Sequence, residues 1–165
     1  MSTTTQNSKK DSNESHTWQV SVDKDSIFTN DDVINAYLKG KKEGRVESNQ
    51  LYIDKLNENI NKSATFTQRM LEFMIEHKLN PISAHLKIKS YDDFIILITL
   101  PEKQFISEDF LISYDFAASL EEEIIEDKYY NVMFMFSDRE EEVFNTNLLV
   151  SDGFFMDYKM SSINA

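Results

Sequence analysis

The sequence predicts an α+β protein in which N-terminal helices precede a ββαββ four-stranded mixed sheet with a helix packed on it. Three observations carry that prediction. The run Phe94-Ile95-Ile96-Leu97-Ile98-Thr99-Leu100 is the most apolar in the chain, is rich in β-branched residues and is stopped by Pro101. So short a run between a polar turn and a proline reads as a buried strand, because a buried helix is usually longer. Before it, apolar residues recur at helical spacing. After it, a helical stripe separates the central strand from two further strand-like runs, which allows a parallel crossover.

Taken in order, residues 1–28 read as a flexible N-terminal arm, 29–80 as a helical region and 81–165 as the sheet domain. The arm is dominated by Ser, Thr, Asn and mixed charges, which bury too little to offset the entropy of ordering. It contains one alternating run, Trp18-Gln19-Val20-Ser21-Val22, with the only tryptophan. That run either anchors the arm on its own domain or docks as an added strand on a neighbouring subunit. Thr29-Asn30-Asp31-Asp32 starts a first helix that stops at Gly40 or Gly44. Val46, Ile53, Leu56 and Ile60 form the stripe of a second helix, weakened at its end by Asn59, Asn61 and Ser63. A third helix spans Thr65 to Leu79, is apolar on two sides, and ends at Asn80-Pro81.

The sheet domain opens with His85-Leu86-Lys87-Ile88-Lys89, an alternating strand with one wet face. Ser90 to Asp93 makes a hairpin turn into the central strand. A fourth helix runs from Ser107 to about Asp127, with Glu121 falling inside its apolar stripe. Tyr129 to Phe136 is a strand apolar on both faces, and the acidic run Ser137 to Glu142 caps a short helix. Gly153 to Met160 alternates and suits an edge strand.

Composition narrows the function classes. Lys+Arg 17 against Asp+Glu 29 leaves a net charge of −12, which argues against direct nucleic-acid binding through phosphates. There is no cysteine, hence no disulfide framework or thiolate metal site. No apolar stretch approaches the roughly 18 residues of a membrane span, and the N-terminus has no signal-peptide core. An intracellular or virion location is therefore expected. The abundance of Asn, Ile, Lys, Phe and Tyr, with Gly 3 and Pro 2, is typical of a low-GC genome, bacterial or phage.

Catalytic motifs are sparse. Three glycines cannot build a phosphate loop or a dinucleotide fingerprint. His16, His77 and His85 fall in arm, helix and strand, without zinc-ligand spacing, and no Gly-x-Ser-x-Gly elbow occurs. Asp92 and Asp93, with Asp115, Asp138 and Asp152 near other strand ends, are the candidates for holding Mg²⁺ in phosphoryl transfer. Adjacent aspartates are also ordinary in turns. No catalytic, metal or cofactor residue is assigned.

The primary expectation is a non-catalytic structural subunit of a multi-subunit assembly, such as a phage virion component. It would contact protein partners in a homo-oligomer or hetero-assembly. The candidate partner-binding residues are Trp18, Val20, Val22, Met133 and Met135. Val132, Phe134 and Phe136 can face the fourth helix, which leaves Met133 and Met135 on the opposite side. The third helix covers those methionines, or a partner does. An acidic regulatory partner, antitoxin or nucleic-acid mimic, is the alternative. An Mg-dependent phosphoryl-transfer enzyme comes third.

Overall fold

A computed structural model describes residues 18–20, 49–140 and 144–160. The chain forms an α+β fold. Its elements are β1 (Trp18–Val20), α1 (Asn49–Glu76), β2 (Ser83–Ser90), β3 (Asp93–Leu100), α2 (Glu102–Phe105), α3 (Leu111–Glu123), β4 (Asn131–Asp138), α4 (Thr146–Ser151) and β5 (Phe154–Tyr158). A 3₁₀ turn, Glu108–Phe110, leads into α3. The strands form one mixed sheet in the order β1-β5-β2-β3-β4. Only β3 and β4 are parallel, and the helical segment between them makes their crossover.

The central strand is where its apolarity puts it. Phe94, Ile96, Ile98 and Leu100 point to the helix side and are fully buried, while Leu97 and Thr99 on the other side are nearly so. The ββαββ strands form β5-β2-β3-β4, and β1 adds a fifth. Two expectations are corrected by that addition. The run at Phe154–Tyr158 is an interior strand rather than an edge, because β1 pairs with it in the register Trp18↔Tyr158 and Val20↔Met156. Residues 18–20 are likewise no part of a flexible arm, since they belong to the sheet and Trp18 is only 2 % exposed. The first predicted helix lies outside the described residues.

The second and third predicted helices are one, the 28-residue α1. Its interior polar residues make their own hydrogen bonds and so do not break it. Ser63 and Thr67 donate to the Asn59 and Ser63 carbonyls at 2.9 and 2.8 Å. Asn59 donates through Nδ2 to two loop carbonyls, Tyr91 O and Tyr129 O, both at 2.8 Å. That side chain ties the β2–β3 turn and the entry to β4 to the middle of the helix. Asn59→Ala is expected to cost about 2 kcal/mol, because two carbonyls lose their donor in a partly buried place; urea unfolding checks it. A ΔΔG near zero would show that water replaces the amide.

Lys78 closes α1 with a left-handed backbone, φ 62°. Leu79 N–H then donates to Met74 O and Lys78 N–H to Ile75 O, the pattern that satisfies a helix's last carbonyls. Helices α1 and α3 pack on the same sheet face. Phe73 stacks on Phe116 with centroids 4.0 Å apart, and Arg69 makes two 2.7 Å bonds to Glu123. The buried stripe entering and following α3 is Phe110, Ser113, Ala117, Leu120 and Ile124, whereas Leu111, Tyr114 and Ile125 are exposed. The short helix after β4 is capped by Asn145, whose side chain accepts from Asn147 and Leu148 N–H, and not by the acidic run.

Strand β4 has no strand partner on its outer side among the described residues. Glu121 reaches there from α3, and its Oε1 accepts the Phe134 N–H at 2.9 Å. The carboxylate that falls inside the apolar stripe is thus turned to the sheet edge. Among the described residues no helix is long and apolar enough to cross a membrane.

Candidate functional site

Both long helices cover one face of the sheet, so its other face is where unusual chemistry can appear. Strand pairing arranges that face in rows. Ser83, Thr99 and Ser137 form one row. Asp157, His85, Leu97 and Met135 form the next, and Lys87, Ile95 and Met133 the third. One side of the face is therefore polar, with His85 and Thr99 buried and Ser83 and Asp157 partly so, and the other is apolar and more open.

The apolar side carries Met133 and Met135, which are 50 % and 44 % exposed. The alternation read from the sequence holds here, since Val132 and Phe134 are buried under the helices. The third predicted helix does not cover the methionines, because it packs on the opposite face. Trp18 has a different environment from theirs. Its ring meets Tyr158 edge-on at 5.2 Å within its own domain. Val20 lies beside it on β1, and Val22 lies outside the described residues. The five candidate partner-binding residues are thus not brought together: β1 and β4 are at opposite edges of the sheet.

The polar side holds a chain of hydrogen bonds that motif reading missed. Asp157 Oδ1 lies 2.7 Å from His85 Nδ1, and His85 Nε2 lies 2.8 Å from Ser83 Oγ. Ser83 Oγ lies 2.6 Å from Thr99 Oγ1. With a neutral imidazole the roles follow in order. Asp157 accepts the Nδ1–H, which leaves Nε2 to accept the Ser83 hydroxyl proton, and Ser83 Oγ accepts from Thr99. Three adjacent strands fix these groups, and the His85 side chain is 5 % exposed against 30 % for Asp157. The signal was the alternation of β2, which puts Ser83 and His85 on one face two residues apart. Asp157 could not be matched to them without the β2–β5 register.

Phe144 lies over the relay, its ring stacked on His85 with centroids 5.9 Å apart. The Arg139 guanidinium lies over the Phe144 ring, 3.9 Å from its centroid. Both residues line a cavity of about 300 Å³ together with Asn145, Leu148 and Leu149. Arg139 Nε is buried and has no hydrogen-bond partner among the described residues.

Two of the aspartates considered for metal binding, Asp92 and Asp93, make local polar contacts. Asp92 accepts from Ser90 at 2.6 Å. Burial pushes the Asp93 carboxyl up, but hydrogen bonds from Lys89 and Asn131 outweigh it and hold the group below the usual carboxylate range. Glu102 is raised by its hydrogen bond to Glu140 and by that group's charge, with Asp138 adding to it. No group of three or more His, Asp or Glu among the described residues is placed to hold a metal ion. Comparison with protein-family models, with curated proteins and with solved structures gives no match to this chain.

Proposed function

We propose that this chain is a structural interaction subunit of a larger assembly, docking a second copy or another protein subunit through the open sheet face. The observation that carries the proposal is the exposure of Met133 and Met135 beside half-buried Ile95, on the face opposite the two long helices among the described residues. Contiguous exposed apolar surface in a folded domain usually marks a contact site, and methionine adapts to irregular partner surfaces. A virion component of a low-GC phage is one concrete form, supported by composition alone.

The double variant Met133→Ser, Met135→Ser tests the proposal. Light scattering is expected to show an assembled wild-type protein and a dissociated variant, with the isolated chain's melting temperature kept within a few degrees. A large loss of stability would place the methionines in the core and refute the docking role. Assembly that instead weakens steeply with added salt would favour the acidic regulatory partner, given the charge of −12.

A further inference from the structure

We propose that Ser83 is an acyl-acceptor nucleophile, activated by His85 and supplied with neutral esters of short apolar acids through the neighbouring cavity. Geometry carries this. A serine hydroxyl is a weak nucleophile until an adjacent base takes its proton, and the diagnostic arrangement is nucleophile to base to orienting group, each within hydrogen-bond reach. The distances here are 2.8 Å from Ser83 Oγ to His85 Nε2 and 2.7 Å from His85 Nδ1 to Asp157. Asp157 is a positioning residue: it fixes the tautomer that leaves Nε2 free to accept. His85 is almost wholly buried, whereas Ser83 retains access to solvent.

Substrate class follows from the surroundings. Phe144 covers His85 and, with Leu148 and Leu149, gives the cavity an apolar side, while Asp138, Glu140 and Asp152 line it elsewhere and disfavour an anionic substrate. About 300 Å³ suits a short acyl chain. Phosphoryl anions are disfavoured by the adjacent Asp157 carboxylate and by the net charge of −12. In the step, Ser83 Oγ bonds to the carbonyl carbon as its proton passes to His85 Nε2. The carbonyl carbon–alkoxide bond then breaks, and the leaving oxygen departs with the electron pair. Thr99 is the hydroxyl donor that the structure places against Ser83, 2.6 Å away. The acyl group is then held on Ser83 as an ester. The inference stands apart from the docking reading, which uses other residues.

The test is p-nitrophenyl butyrate added to the full-length protein. It is read as nitrophenolate release and by tandem mass spectrometry of the peptide bearing residue 83. One butyryl group per chain, on Ser83, is expected. Ser83→Ala abolishes it, and His85→Gln slows it by about 10²-fold or more, the usual worth of a positioned base. Asp157→Asn slows it while the downfield Nδ1–H proton resonance of His85 disappears at an unchanged melting temperature. The proposal is overturned if the wild-type protein gains no adduct on Ser83, or if folded His85→Gln reacts as fast as wild type. Should His85→Gln fail to fold, the wild-type adduct and its loss in Ser83→Ala still decide.

Discussion

Ile98→Ala is expected to destabilise the protein by about 2–5 kcal/mol, the usual cost of deleting a fully buried aliphatic side chain. Ile98 sits in register with Ala84 on one neighbour and Phe136 on the other, and is 0 % exposed. A close-packed environment of that kind collapses only partly around the void. In a chain of this size the loss corresponds to a melting-temperature drop on the order of 5–20 °C. Leu97→Ala belongs at the low end of the same range, because Leu97 faces the open side and is 8 % exposed. Thermal scans of both variants check the order. Equal and negligible shifts would mean that β3 is not central.

Trp18→Ala is expected to cost about 3–5 kcal/mol, more than any other single change at the sheet's edges. The indole is buried against Tyr158, and removing it also takes that contact between β1 and β5 away. Deletion of residues 1–28 should therefore weaken the domain rather than leave it intact, as a dispensable arm would. The measurement is urea unfolding of the deletion and the point variant side by side. If both unfold at the wild-type midpoint, β1 contributes no stability.

The fold class was legible because β2 and β5 alternate with period two, β3 and β4 are short, bounded apolar runs, and a helical stripe separates the parallel pair. What stayed hidden depends on contacts distant in sequence. Asn59 and Ser63 look like helix breakers until the loop carbonyls and Tyr130 that they bond are placed beside them. Ser107 to Asp127 reads as one helix with a broad apolar face, but packing on a single sheet face leaves Leu111 and Ile125 in solvent. The relay was partly visible, as a serine and a histidine on one side of β2. Its third member comes from the far end of the chain, and only the antiparallel pairing of His85 with Asp157 supplies it. Met133 and Met135 were assigned to the correct side by alternation alone. Which side the long helix covers could not be read the same way, since α1 offers apolar residues in more than one direction.

The pairing of β1 with β5 has a consequence for how the protein is made. The two strands are far apart in sequence, so Trp18 leaves the ribosome long before Tyr158 exists. At about 5–20 residues per second the tryptophan waits on the order of ten seconds for its partner. Throughout that interval β5's place beside β2 is vacant and a large aromatic surface is exposed, available to chaperones or to a neighbouring nascent chain. Closure of the sheet thus waits on synthesis of β5, and a chain truncated before Phe154 is left with an unburied tryptophan.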